Sequence, residues 1–300
     1  MKTATIKKKR RKIKLFDVVN GIIMVLLSVV CIYPLYYVLM ASFSNPTNLM
    51  AHRGILLYPL GGGTLGGYEM VLQNPNIGTG YFNTLIYVVG NTVLSLILTV
   101  LAAFVVSRKA WMWCRAMTFM ITLHMFVGGG LIPFYMLVND LGMINTRWAL
   151  IIPGALSVWN MIVLRTAMEG VPESLLEAAQ IDGANDLVVL CKVVLPVIVP
   201  AVAVQILFYA VAAWNSWFNA SIFINDRSLM PLQLIMREIL LSNDMQSLQG
   251  MNSTALLDRA NYMQLTKYCV VIVSTLPILV IYPFVQKYFV KGIMVGSVKG

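Results

Sequence analysis

Residues 171–186 hold the side chains best placed to act together as a group. Four acids lie there (Glu173, Glu177, Asp182 and Asp186) without a Lys or Arg among them, although the chain has a net charge of +10. Glu173 and Glu177 are four residues apart, so on a helix they repel each other by about 0.2–0.5 kcal/mol. A basic groove on a partner protein would relieve that repulsion. On these residues alone, a solvated loop with ordinary capping acids is the favoured interpretation, and docking by charge is the alternative.

Local residue types predict a short helix, a glycine turn and a second helix around these acids. Pro172 suits a helix start, because its missing N–H would lack a partner there anyway. Gly183 can adopt the left-handed conformation that ends a helix. Asn185 or Asp186 can cap the second helix, which is expected to continue into the next apolar segment.

The chain around this segment is strongly apolar. Hydrophobic residues make up 59% and charged residues 11% of its 300 residues, and the mean hydropathy is +0.78. Apolar stretches of about 20 residues cross the hydrocarbon core of a bilayer as helices. The sequence therefore predicts an all-α integral membrane protein with six transmembrane helices, at about residues 18–40, 82–106, 117–137, 148–166, 197–223 and 268–289.

Positive charge predicts how these spans are oriented. With a cytoplasmic N-terminus, the inside segments carry 16 of the 22 Lys and Arg residues, as the positive-inside tendency requires. Both termini and the acidic segment are then cytoplasmic. The basic run at residues 7–14 is interpreted as an anchor beside membrane lipid, and no nucleic-acid partner is expected. The apolar run 18–40 exceeds the roughly 7–15 residues of a signal-peptide core, so it is interpreted as an uncleaved span.

This arrangement divides the chain into three parts. They are a basic cytoplasmic N-terminus (1–17), a six-span transmembrane domain (18–289) and a cytoplasmic C-terminal tail (290–300). The acids belong to the loop 168–196, between the fourth and fifth spans. Two long segments, 45–81 and 224–266, are predicted outside, the second with a helix from Pro231 to Leu241.

The acidic helix is part of a longer pattern with fixed spacing. Glu177-Ala178-Ala179 is followed after three residues by Gly183, and after nine more by Val193-x-Leu195-Pro196. This pattern resembles the EAA loop of ABC importer permeases (E-A-A, three residues, G, nine residues, I-x-L-P), with Val in place of Ile as the one departure. The resemblance assigns coupling to an ATPase to Glu173, Glu177, Ala178, Ala179, Asp182, Gly183, Ala184, Leu195 and Pro196.

Four segments resemble the maltose-type permeases of the carbohydrate-importer class, nearest to the subgroup for complex oligosaccharides. They are residues 128–153, 172–185, 213–220 and 291–300. The resemblance implies the type I ABC importer permease fold in a bacterial cytoplasmic membrane, with this chain forming half of the path for an imported oligosaccharide. It implies that the EAA helix sits in a groove of a cytoplasmic ATPase, where Glu177 would pair with an arginine. It also implies a second permease subunit in a heterodimer, two ATPase subunits and an extracytoplasmic solute-binding protein.

The chain itself is not expected to be an enzyme. A phosphate-binding G-x-x-x-x-G-K-[ST] loop does not occur, since GGGTLGGY at 61–68 lacks the lysine and VGSVKG at 295–300 lacks the spacing. No cofactor is expected on this chain, because ATP and Mg²⁺ would be used by the partner ATPase. His52 and His124 are isolated and the four cysteines are scattered, so neither a metal site nor a disulfide framework is predicted.

Polar and aromatic side chains inside the predicted spans are candidates for a substrate path, because polar groups there usually face a bundle interior or a cavity. They are Asn91, Ser95, Asn160, Trp214, Asn215, Trp217 and Asn219. Aromatic planes and amide groups suit sugar rings. However, Trp also belongs to the aromatic belt at a membrane interface, and amides also serve helix packing. Both interpretations stay open.

Two other functions are weighed against an importer subunit. An ion-coupled secondary carrier is the main alternative, and it would need a relay of carboxylates inside the membrane. The cores of the predicted spans contain no Asp or Glu. A membrane scaffold or membrane enzyme would need a docking surface or a catalytic cluster other than the acidic loop.

Overall fold

A computed structural model describes residues 15–108, 112–241 and 253–297 of the chain. All regular secondary structure in these ranges is helical, as predicted. The α-helices are α1 (Leu15–Ser42), α2 (Pro46–Ala51), α3 (Gly66–Gln73), α4 (Pro75–Ser107), α5 (Cys114–His124), α6 (Leu131–Asp140), α7 (Trp148–Ile151), α8 (Val158–Glu169), α9 (Glu173–Ile181), α10 (Asp186–Val188), α11 (Leu195–Val197), α12 (Val199–Trp214), α13 (Phe218–Phe223), α14 (Leu232–Leu241) and α15 (Ser253–Ser297). A π-helical segment (Val189–Val194) joins α10 to α11, and a 3₁₀ turn (Arg227–Leu229) precedes α14.

The described residues form two compact units, and the first comprises residues 15–69 and 253–272. Within it, polar side chains tie the segment after α2 and the start of α3 to α1. The Tyr33 hydroxyl accepts the Leu56 N–H at 3.1 Å, and the Ser42 and Tyr68 hydroxyls lie 2.7 Å apart. Most apolar side chains of α1 are exposed, which suits a helix that faces lipid or another membrane subunit.

Among the described residues, the second unit comprises 70–108, 112–241 and 273–297, and α4 makes most of its helix contacts. This helix packs against α8, α12 and α14. Its main buried cluster joins α4 and α8 to the π-helical segment. The members are Val100, Ala103, Phe104, Met161, Leu164, Met168, Val171, Val189, Leu190, Val194 and Ile198. Burial of apolar side chains contributes roughly 25 cal/mol per Å², so this cluster holds the acidic loop on the helices that carry the polar residues.

Three of the predicted spans are long, continuous helices. The helices α1, α4 and the Asn261–Pro283 part of α15 are apolar and long enough to cross a membrane. They correspond to the predicted spans 18–40, 82–106 and 268–289. The predicted helix from Pro231 to Leu241 is confirmed as α14.

The other three predicted spans are interrupted, and glycines mark two of the breaks. Residues 117–137 are divided between α5 and α6, where Gly130 has φ +83°. Residues 148–166 are divided between α7 and α8, where Gly154 has φ +76°. Residues 197–223 are divided between α12 and α13. Glycine adopts this positive-φ conformation at little cost, and both glycines lie in the segments between the two helices, Gly130 directly before α6. The structure thus corrects the expectation of uninterrupted helices, whereas six crossings and cytoplasmic termini stay predictions.

The second helix of the acidic loop does not continue straight into α12. Residues Asp186–Val197 and Val199–Trp214 meet at a bend of 89°, and Ile198 between them has φ −101° and ψ 17°. Pro200 lies two residues beyond Ile198 and has no N–H to extend the helical hydrogen bonding across the bend. This corner differs from the predicted continuous helix.

Candidate functional site

The backbone of the acidic loop has the predicted form. Pro172 precedes α9, and Gly183 ends the helix with φ +79°. The Asn185 side chain accepts the Val188 N–H at 2.9 Å and so caps α10. A residue with a Cβ is strained at such a φ, so glycine allows the chain to reverse between the two helices.

The acidic helix has an inner edge and an open face. Leu176 and Ala179 pack against the buried cluster, whereas no residue of α9 is itself buried. On the open face lie Glu173, Glu177 and Ala178, all exposed. Near its end, Ile181 is 86% exposed. Acids beside exposed apolar groups form a surface suited to another protein.

The remaining predicted coupling residues lie around this helix rather than on its open face. Asp182 and Gly183 are exposed in the turn, and Ala184 is half-buried against the cluster. Leu195 also packs against the cluster, and Pro196 is exposed just before the 89° corner. These residues therefore form the turn or attach the loop to the core.

A cavity of about 240 Å³ separates α9 from the end of α4, and Arg108 is its basic group. The guanidinium lies 4.5 Å from the centre of the Phe104 ring and 3.6 Å from the Asp186 carboxylate, an ion pair without a hydrogen bond. Glu173 and Glu177 line the same cavity. Arg108 thus connects the end of α4 to the second helix of the acidic loop. From the sequence, Arg108 is counted only among the positive charges of the segments predicted to be cytoplasmic. Its spacing of four residues from Phe104 is the one feature that could have indicated their contact.

A second cavity, of about 260 Å³, brings together three of the predicted substrate-path residues. Asn91 comes from α4, Asn160 from α8 and Asn219 from α13, and all three line this cavity. Tyr87 and Tyr209 line it as well. The wall therefore combines amide groups with aromatic rings, the two group types that suit sugars. We refer to this space as the polar cavity.

Hydrogen bonds between distant parts of the chain hold this wall in place. The Asn91 amide donates to the Ile151 carbonyl at 3.1 Å and accepts from the Ser95 hydroxyl at 3.4 Å. The Tyr209 hydroxyl lies 2.6 Å from the Thr99 hydroxyl and accepts the Ser157 N–H at 3.3 Å. Ser95 thus supports the wall without lining it. From the sequence, a role is predicted for neither Tyr87 nor Tyr209. The only feature that could have indicated one is a tyrosine hydroxyl inside an otherwise apolar segment.

Three other predicted path residues lie outside the polar cavity. Trp214 is 6% exposed, and its ring meets the edge of Tyr81 at 6.1 Å. Asn215 donates to the Val211 carbonyl at 2.9 Å. The Trp217 ring lies under the Arg237 guanidinium at 4.5 Å. Their contacts fit the packing alternative better than a place in the cavity wall.

The chain is similar to known transport proteins over nearly its whole length. Residues 95–295 match the family described as binding-protein-dependent transport system inner membrane component. The polygalacturonan/rhamnogalacturonan transport system permease protein YtcP of Bacillus subtilis (strain 168) is 33% identical over 289 residues, which cover 96% of this chain and 100% of that protein. Protein LplC of the same strain is 33% identical over 291 residues, 96% of each. A solved bacterial ABC transporter involved in the import of the acidic polysaccharide alginate has a chain with a TM-score of 0.83 and 30% identity, covering 96% of this chain and 100% of that one.

Proposed function

Because the chain belongs to the family of binding-protein-dependent transport system inner membrane components, we propose that it is a permease subunit of an ATP-driven oligosaccharide importer in a bacterial cytoplasmic membrane. One observation of the structure carries the proposal: α9 is attached through Leu176 and Ala179, while Glu177 and Ala178 are exposed to a partner. The ion-coupled secondary carrier is not favoured, since the family serves transport systems that depend on a binding protein.

The proposed partner of α9 is a cytoplasmic ATPase with a basic groove. Glu177 meets a basic side chain there, and the exposed Ile181 adds apolar contact. ATP and Mg²⁺ bind the ATPase, which performs the hydrolysis. Movement of the ATPase is passed through Leu176 and Ala179 to the cluster on α4 and α8, and the transmembrane helices then switch between inward-facing and outward-facing arrangements.

The polar cavity is the proposed part of the substrate path on this subunit. Asn91, Asn160 and Asn219 offer amide donors and acceptors that can exchange hydrogen bonds with sugar hydroxyls. A second permease subunit supplies the other half of the path, two ATPase subunits drive it, and a solute-binding protein delivers the sugar from outside.

The proposed substrate class is an oligosaccharide that contains acidic sugar units. The solved relative is described as importing an acidic polysaccharide, and YtcP is named for polygalacturonan, a polymer of a sugar acid. Both cover nearly all of this chain, at 30% and 33% identity. Trigalacturonate is therefore a suitable probe.

Charge reversal at Glu177 tests the proposed function. We expect Glu177→Lys, in the complete importer reconstituted into proteoliposomes, to lower ATP-dependent trigalacturonate uptake at least about tenfold, because it sets like charges against each other at a docking surface. The ATPase subunits should also be lost on purification. The matched control is Glu238→Lys, which reverses an acid on α14 that is paired with Arg227 at 3.5 Å. Normal uptake by Glu177→Lys, with the ATPase retained, would rule out coupling through this helix.

A further inference from the structure

Arg147 is a cation beside the polar cavity that lacks an acidic partner in the described parts of the chain. It precedes α7, whose Leu150 lines the cavity, and its side chain is exposed. Ion pairs in residues 15–108, 112–241 and 253–297 are made by Arg108, Arg165 and Arg227, and not by Arg147.

A fixed amide orients the guanidinium of Arg147. One of its N–H groups donates to the Asn83 side-chain oxygen, at 3.3 Å. Asn83 is 1% exposed, and its amide nitrogen donates to the Ser228 and Met230 carbonyls at 2.7 and 3.2 Å. Because both donors of Asn83 are used, its oxygen must face Arg147.

Tyr87 connects Arg147 to the wall of the polar cavity. It lies one turn after Asn83 on α4 and lines the cavity, and its hydroxyl donates to the Leu229 carbonyl at 2.7 Å. Arg147 is close enough to interact with this hydroxyl. A guanidinium carries five N–H donors, so most of those on Arg147 remain available to a ligand at the rim of the cavity.

The acid on the neighbouring segment is engaged elsewhere. The backbone N–H groups of Asn225 and Asp226 donate to the Asn145 side chain at 3.0 and 2.7 Å, which places this acid near the start of α7. Its carboxylate accepts the Ser228 N–H at 2.8 Å, and this hydrogen bond lowers the pKa of Asp226. Asp226 is therefore a charged acid held in its own turn, and it makes none of the ion pairs found in the described residues.

We propose that Arg147 binds the carboxylate of an acidic sugar unit at the rim of the polar cavity and so selects acidic oligosaccharides. The inference rests on the proposed function and names a residue for its substrate class. An arginine binds a carboxylate through two parallel hydrogen bonds, which give both strength and orientation. The rim supplies the charge, whereas the cavity wall of Asn91 and Asn160 supplies neutral partners for hydroxyl groups.

The test measures uptake of trigalacturonate by the complete importer, in proteoliposomes, at increasing concentrations of loaded binding protein. We expect Arg147→Gln to lower maximal uptake about tenfold, the factor that corresponds to the loss of one charged hydrogen bond, and Arg147→Lys to lower it less. The half-saturating concentration of binding protein should not change. The matched control is Arg227→Gln, since Arg227 is also exposed but already paired with Glu238, and its uptake should stay within about twofold of wild type.

Several outcomes would overturn the inference. Wild-type uptake by Arg147→Gln would show that the residue has no role in selection. A raised half-saturating concentration with unchanged maximal uptake would show that Arg147 docks an acid of the binding protein instead. If the wild-type importer takes up neutral maltotriose but not trigalacturonate, the inference fails while the proposed importer stands. If it takes up neither sugar, the proposed function fails as well.

Discussion

The acidic loop and the polar cavity are built in opposite ways. The loop is one continuous stretch, residues 168–196, in which α9 has no buried residue and its shape depends on a glycine turn and an asparagine cap. The cavity is assembled from α4, α7, α8, α12 and α13, and its hydrogen bonds join residues up to 142 positions apart. The loop therefore depends on backbone conformation, whereas the cavity depends on tertiary contacts between side chains.

The largest effect is expected from a change to the backbone of the loop. Gly183→Val places a β-branched residue at φ +79°, which costs roughly 1–2 kcal/mol locally and displaces α9 from its partner. We expect uptake to fall about tenfold or more. Gly142→Val is the matched control, because Gly142 has φ +67° and, like Gly183, has open space where a Cβ would lie.

Uptake and thermal unfolding are measured for both glycine variants, to separate the role of the loop from the general cost of a strained backbone. Both substitutions carry a similar backbone penalty, so similar losses of thermal stability are expected. Uptake by Gly142→Val should stay within about twofold of wild type, since turns on exposed loops tolerate local change. Equal loss of uptake in both variants would show that the loop backbone has no special role.

An intermediate effect is expected at the connection between α4 and the loop. Arg108→Ala removes a cation–π contact worth about 0.5–1 kcal/mol and an ion pair to Asp186 that is worth no more than about 1 kcal/mol. We expect uptake to fall about threefold while ATP hydrolysis continues, because the loop then moves less tightly with α4. The measurement is the number of sugars imported per ATP hydrolysed.

The matched control for Arg108 lies on α8. Arg165 has a side chain exposed to 24%, against 23% for Arg108, and pairs with Glu169 at 2.9 Å within the same helix. Arg165→Ala should leave the ratio of imported sugar to hydrolysed ATP unchanged. A lower ratio in Arg165→Ala than in Arg108→Ala would contradict the role given to Arg108.

The smallest effect is expected from one hydroxyl of the cavity wall. Tyr209→Phe removes the contacts to Thr99 and to the Ser157 N–H, each worth about 0.5–1.5 kcal/mol. We expect the melting temperature of the purified importer to fall by a few degrees and uptake to fall about twofold. Tyr135→Phe is the control, because the Tyr135 ring stacks on Phe223 at 6.1 Å and no hydrogen bond of its hydroxyl is found in the described residues. An equal shift in both variants would show that the wall does not depend on this hydroxyl.

The same contrast explains what the sequence could predict. The turn at Gly183 is predicted correctly, and Asn185 is one of the two capping residues that the sequence offers, because helix ends depend on neighbouring residues. The breaks near Gly130 and Gly154 were missed, since a run of apolar residues predicts burial or a membrane span without showing whether the helix is continuous. Tyr209 and Arg108 were missed because their partners are close only in the folded chain. Asn91 and Asn160 were found by their polarity alone, which could not separate them from Trp214 and Asn215.

The corner at Ile198 gives the acidic loop the geometry of a lever that increases displacement rather than force. At 1.5 Å per residue, the Asp186–Val197 arm is about 18 Å long and the Val199–Trp214 arm about 24 Å. A rigid body with a right angle between its arms converts a sideways push on the shorter arm into a rotation of the longer one. The far end of the longer arm then travels roughly a third farther than the point that is pushed, so a small displacement of the acidic loop becomes a larger displacement at Trp214.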